Sequence, residues 1–242
     1  MTKSNNLLAD YAAKKQDICI KNDTISDSLF REYGVNRGLR DVNGKGVLTG
    51  LTNISEIVSF KTGEDGSSVP CDGQLWYRGY NVKTLTNNLR PGEFGFEKIA
   101  YLLLFGQLPS ESEFTEVLGR SRTLPTNFTR DVIMKAPSKD IMNSMTRSIL
   151  TLASYDPLVA KAGIDNNIRQ CLSLVAIFPM LAVYGYHAYN HYENDQSMYI
   201  HRPDPKLSTA ENFLRMLRAD NQYTELEARV LDMALILHME HG

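Results

Sequence analysis

The sequence predicts a mainly α-helical fold with a minor β element near residues 47–77, and three observations carry that reading. Beyond residue 90, apolar residues recur every three or four positions, the spacing that lines one face of a helix. At three places a Ser or Thr stands three residues ahead of a Glu beside such a run: Ser110 with Glu113, Ser208 with Glu211, and Thr224 with Glu227. Each pair can satisfy two backbone N–H groups that a helix start leaves unpaired. By contrast, the clearest strand character is the short aromatic segment Gln74-Leu75-Trp76-Tyr77-Arg78.

Taken in order, residues 1–45 read as a polar N-terminal arm in which Asp27 to Gly34 forms one short helix. Gly34, Gly38, Gly44 and Gly46 then break regularity. Val47 to Phe60, with Ile54, Ile57 and Val58, reads as a short strand pair or as a turn of helix. Lys61 to Ser68 is a polar loop, and the stretch 61–72 carries no motif to which a function attaches. Phe96 to Phe105 is apolar nearly all round and is expected to be buried on most faces, with Gly106 and Pro109 as its stop. Ser110 and Glu113 open a helix to about Arg120. Ile141, Met145, Ile149 and Leu152 predict a helix over Ile141–Ser154 with Asp140 as N-cap. Asp165 to His191 is one long helical pattern, kinked at Pro179. The last two Ser/Thr–Glu pairs open two more helices. Neither a repeat nor a low-complexity linker interrupts residues 46–242, which read as one helical domain.

Composition narrows the class. Of 242 residues 43% are apolar and 22% charged, with a net charge of -2, an ordinary globular balance without the basic excess that nucleic acid demands. Cys19, Cys71 and Cys171 stand far apart, which favours reduced thiols over a disulfide framework or a zinc site. The N-terminus is too polar for a signal peptide, and no apolar run approaches the roughly 18 residues of a membrane span. A cytoplasmic protein without membrane association is expected.

The last segment, Leu235-Ile236-Leu237-His238-Met239-Glu240-His241-Gly242, is an apolar helix running into two histidines. A terminus normally frays into polar residues, so the chain reads as the front part of an enzyme whose catalytic groups are missing. His241 at a buried helix end can donate hydrogen bonds to an anionic or keto oxygen. The negative end of the helix dipole would oppose that anion unless arginines from elsewhere complete the site. His238 and His241, three apart, share a face, yet neither the zinc-hydrolase spacing nor a third ligand is present, so no metal is assigned. His187 and His191, among Tyr184, Tyr186, Tyr189 and Tyr192, read as a partly solvated face or subunit contact. Arg78 reads as a buried tie between a strand and a helix end, and Cys171 as core filling.

Several of these segments resemble a known family. Leu75-Trp76-Tyr77-Arg78-Gly79-Tyr80-Asn81-Val82 resembles its L-x-Y-R-G-Y-x-I element, and Phe96 to Pro109 its F-E-E-V-A-Y-L-L-L-x-G-x-L-P helix. Ser154-Tyr155-Asp156-Pro157, Phe178-Pro179 and Leu237-His238-Met239-Glu240-His241 follow in the same order. Together they resemble citrate synthase from about residue 35 to the end. Where many relatives open a helix with His-Pro-Met, this chain has Lys139-Asp140-Ile141-Met142.

The resemblance implies an all-α homodimer that condenses oxaloacetate with acetyl-CoA to citrate and CoA, the entry step of the tricarboxylic acid cycle, with no cofactor besides that substrate. It implies that His241 binds oxaloacetate, that His238 stands behind it, and that the two catalytic histidines and the aspartate base lie beyond residue 242. Residues 46–242 would then be an incomplete large domain, lacking its remainder and the small mobile domain, and inactive alone. A 2-methylcitrate synthase using propionyl-CoA, or a non-catalytic dimerising scaffold, are the alternatives.

Overall fold

The computed structural model describes residues 2–35, 50–90, 92–110 and 112–240. They form two compact units. The first comprises Met1–Gln16, Phe94–Lys98 and Pro109–Ile236, and the second Asp17–Glu93, Ile99–Leu108 and Leu237–Gly242.

The first unit is helical and is organised on its longest helix. Its elements are α5 (Glu113–Arg120), a π-helical turn (Thr129–Ile133), α6 (Ile141–Ala153), α7 (Ile164–Glu193), α8 (Thr209–Leu217) and α9 (Glu225–Leu237). α7 packs against α5, α6, α8 and the π-helical turn. Leu172, Ala176, Leu181, Val183 and Ala188 on it are buried. The helix continues past Pro179, which has no N–H to donate to the Val175 carbonyl. By length and composition α7 could also cross a bilayer, a property that a search for unbroken apolar runs overlooks. Over half of its most apolar window is buried in the protein, as in a core helix, and it carries buried Asn166, Arg169, His187 and Asn190.

Helix starts follow the sequence at three of four places. Ser208 Oγ accepts from Glu211 N at 3.2 Å while Glu211 Oε2 accepts from Ser208 N at 2.7 Å. Thr224 and Glu227 repeat the exchange at 3.2 and 2.8 Å ahead of α9. Glu227 also pairs with Arg218, and these donors together hold its carboxyl down at about 2. Asp140 caps α6 through Asn143 N at 3.0 Å. The exception is Ser110 with Glu113. α5 begins at Glu113 with Ser112 as its N-cap and no side-chain cap bond. The helix starts two residues later than expected, so Glu113 is its first residue and lies too early to close a box.

α5 also makes the tightest backbone approach. A Cβ on Gly119 would stand 2.2 Å from the Pro205 carbonyl oxygen. Gly119→Ala is therefore expected to cost about 1–3 kcal/mol through forced backbone displacement, read as a lowered denaturant midpoint.

The second unit holds a three-stranded antiparallel sheet in the order β1 (Ser55–Thr62), β2 (Ser68–Tyr77), β3 (Tyr80–Asn81). The open choice at 47–60 thus resolves as a strand over its later part; residues 41–49 lie outside the described residues. α3 (Val82–Asn87), capped by Asn81, packs against β2 and β3. α2 spans Asp27–Glu32, as the sequence suggested. Three helices contribute residues to both units: α4 (Gly95–Phe105), whose end at Gly106 has φ 71°, α1 (Thr2–Asp23), and α9 through its last residue, Leu237. α1 was not foreseen, because its buried stripe is only Leu8, Tyr11, Ala12 and Cys19 in an otherwise polar segment.

Candidate functional site

The second unit carries the two motifs most suggestive of chemistry, and the structure brings their neighbourhoods together. Tyr77-Arg78-Gly79-Tyr80 is a two-residue hairpin in which Tyr77 pairs with Tyr80. Arg78 has φ 48° and Gly79 φ 82°, the left-handed pair that matches the twist of adjoining strands. Glycine adopts this conformation freely; arginine does so only when it is held.

The guanidinium of Arg78 is what holds it. Its side chain is only 5% exposed and pairs with Asp23. Nε and Nη2 donate to the Leu103 carbonyl at 3.2 and 2.7 Å. Nη1 donates to Asn53 Oδ1 at 2.9 Å and to the Asn22 carbonyl at 3.4 Å. The last turns of α4 and α1 thus receive donors that a helix end lacks. Arg78 is a structural tie, as its sequence context indicated.

Tyr77 and Ser55 are register partners on β2 and β1, and together they grip Glu240. Tyr77 OH donates to the Glu240 carbonyl at 3.0 Å, and Ser55 Oγ donates to its carboxylate at 2.9 Å. Burial pushes the Tyr77 hydroxyl above its ordinary range, so it stays a donor at neutral pH. The chain leaving α9 is therefore fixed to the sheet one residue before His241. His238 lies at an exposed position just past the end of α9. His241 itself lies outside the described residues. The sequence reading passed over Glu240; its only signal was an acidic residue set between two histidines.

The other candidates separate from this site. In the first unit, His187 is buried with Nε2 3.1 Å from the Met216 carbonyl, and its ring lies 4.4 Å from that of Tyr199. His187 thus meets a carbonyl in the last turn of α8, while His201 Nε2 stands 3.1 Å from the Ala219 carbonyl just past its end. Burial, with His201 nearby, pushes His187 below the ordinary histidine range. His191 meets the Gln196 carbonyl at 2.8 Å. Asp156, from the Ser-Tyr-Asp-Pro segment, pairs with buried Arg169 at 2.6 Å. Cys171 occupies an exposed position on α7 instead of filling the core, although neighbouring groups desolvate its thiol and raise its pKa. Among the described residues no group of three or more His, Cys, Asp or Glu could hold a metal ion.

Residues 38–242 match the family model described as citrate synthase, C-terminal domain. This chain belongs to the citrate synthase family. It is 27% identical over 199 residues to the citrate synthase of Saccharolobus solfataricus, covering 81% of this chain and 48% of that one. The 2-methylcitrate synthase of Shewanella oneidensis is 27% identical over 170 residues, covering 69% and 42%. The structure of the Thermoplasma acidophilum citrate synthase, a ternary complex with carboxymethyl coenzyme A and oxaloacetate, shares the fold. Its TM-score is 0.63 at 22% identity, over 91% of this chain and 49% of that one. The chain thus spans less than half the length of the relatives it matches. Tyr77, Arg78, Glu240 and His241 all fall inside the family match.

Proposed function

We propose that this chain is part of a citrate synthase-like acyltransferase that condenses acetyl-CoA with oxaloacetate to citrate and free CoA. His241 binds oxaloacetate, and His238 supports it. The observation that carries this reading is the grip of Ser55 and Tyr77 on Glu240, which fixes the chain next to His241 within a segment that the family match includes.

The chemistry sets what the rest must supply. Oxaloacetate is a dianion, so a site that includes His241 needs arginines to balance its charge. A carboxylate base removes a methyl proton from acetyl-CoA, and neutral histidines stabilise the developing enolate as it attacks the keto carbon. Hydrolysis of the thioester then releases CoA. The resemblance places these acid–base groups beyond residue 242, and the chain by itself is expected to release no CoA above background. Assembly as a homodimer belongs to the same reading, supported by Met142, Leu150, Phe178 and Tyr186, which are exposed on α6 and α7. A strictly monomeric mass in solution would count against it.

The test is a free-thiol assay on the 242-residue chain and on the product of the complete reading frame, with oxaloacetate and either acyl-CoA. CoA release by the latter alone is expected, and His241→Ala there should raise KM for oxaloacetate far more than it lowers kcat. Turnover by the 242-residue chain would overturn the assignment of the acid–base groups. Absence of turnover with both acyl-CoA donors would sink the enzyme reading itself. The relative from Shewanella oneidensis makes propionyl-CoA the competing donor, and the ratio of kcat/KM decides between them.

A further inference from the structure

Glu97 lies wholly inside the first unit, in the first turn of α4. Its Oε1 receives three donors: Arg122 Nη2 at 2.9 Å, and Thr209 N and Oγ1 at 2.7 Å each. Its Oε2 is buried and has no hydrogen-bond partner among the described residues. A carboxylate oxygen stripped of water and left without a donor is strongly disfavoured.

Asp232 of α9 is 8% exposed and stands at the same helix start. Its Oδ1 accepts from Phe96 N at 2.9 Å, and Gly95 N also donates to the carboxyl. The charged groups around the two carboxyls come from three helices and two connecting segments. They are Glu97 on α4, Asp232 on α9, Glu211 on α8, and Asp204 and Arg122 in the connecting segments. Arg122 is the cation paired with Glu97, and its Nη2 is committed to Oε1 and to Thr209 Oγ1; Arg215 of α8 stands near Glu211 and Asp204 at Tyr223. The remaining oxygen of Glu97 has no donor, and Asp232 is bonded to the backbone N–H of Phe96, the residue just before Glu97.

We propose that Asp232 keeps its proton and donates it to Glu97 Oε2, making a buried carboxyl pair that ties α9 to the start of α4. This is a proton-binding site separate from the oxaloacetate segment and independent of the catalytic reading. Desolvation, reinforced by the charge of Glu97, pushes the Asp232 carboxyl up to about 6. Its folded pKa therefore lies above the ordinary carboxylate value near 3.9. The folded chain holds a proton that the unfolded chain releases, so the pair's contribution is complete below about pH 4 and is lost as pH rises through about 6.

Asp232→Asn tests this in the whole chain. Asparagine still accepts from Phe96 N and offers an N–H to Glu97 Oε2 with nothing to titrate. Between about pH 5 and about pH 7.5, the wild-type urea midpoint should fall relative to that of the variant, and the variant should be the more stable at the upper end. The infrared difference between the two at about pH 5 should contain the C=O stretch of a protonated carboxylic acid. Parallel pH profiles, or no such band, would overturn the proposal. Should the variant not fold, the wild-type band alone decides: loss with a midpoint near 6 supports the pair, and its absence refutes it. Glu97→Gln should move the midpoint of that band to lower pH, whereas an unmoved midpoint would leave Asp232 a solitary buried acid and refute the pairing.

Discussion

Arg122→Ala is expected to remove about 3–5 kcal/mol of stability, a large share of the margin that keeps a domain folded. The Arg122 side chain is 4% exposed, and its partner Glu97 is fully buried. The guanidinium donates to Glu97 Oε1, to the Leu207 carbonyl at 2.5 Å and to Thr209 Oγ1 at 3.1 Å. Burial works against the arginine's charge, and Glu97 offsets that. Truncation would strand a carboxylate inside the protein and orphan a buried carbonyl, and that stranded charge carries most of the expected loss. A domain's whole margin is about 5–15 kcal/mol. Urea unfolding followed by circular dichroism measures it. Arg122→Met combined with Glu97→Gln should recover part of the stability, because no charge is then left to bury. A loss below about 1 kcal/mol for the single variant would mean that the pair is solvated in solution.

Arg78→Ala should cost about 2–4 kcal/mol. The Leu103 carbonyl loses both guanidinium donors, the Asn22 carbonyl keeps only Asn53 Nδ2 at 2.7 Å, and Asn53 Oδ1 and Asp23 lose a partner. Three replacements separate the contributions. Lysine cannot reach the same set, because a single ammonium lacks the planar fork. Alanine loses the bonds and still occupies φ 48°. Glycine loses the bonds and relieves the backbone, so it should fall less far than alanine by up to about 1 kcal/mol. Equal stability of wild type and Arg78→Ala would point away from a structural tie and towards a residue held for a ligand.

Much of the fold was legible because local chemistry and periodicity agreed. Ser208–Glu211 and Thr224–Glu227 cap the helices they appear to cap, and the apolar run at Phe96 is a buried helix. What escaped has physical causes. α1 presents a sparse buried stripe, Leu8, Tyr11, Ala12 and Cys19, too thin to stand out against its polar background. Ser110 has the right spacing for a cap, but the chain turns helical later, and spacing cannot report where. α7 mixes buried Asn166, Arg169 and His187 into its apolar face, so it shows no unbroken run although its length and composition suffice for one. In the candidate site the motif around His241 was visible, but the grip on it was not. Ser55 and Tyr77 meet Glu240 across separations of 185 and 163 residues, which only the folded sheet closes. The Asp232–Phe96 contact is hidden for the same reason.

The hairpin formed by β1 and β2 has a consequence for how this chain can vary. From Glu64 to Pro70 every residue is exposed. The turn closes on itself: Gly63 N donates to the Ser67 carbonyl, and Ser67 N and Oγ donate to Asp65 Oδ1. Its length is consequently a free parameter: residues can be added or removed at the tip while the Ser55–Tyr77 pair at its base keeps its register. The tip at residues 63–67 is where this family member can drift, or be lengthened by an engineer, while the strands that hold Glu240 keep their pairing.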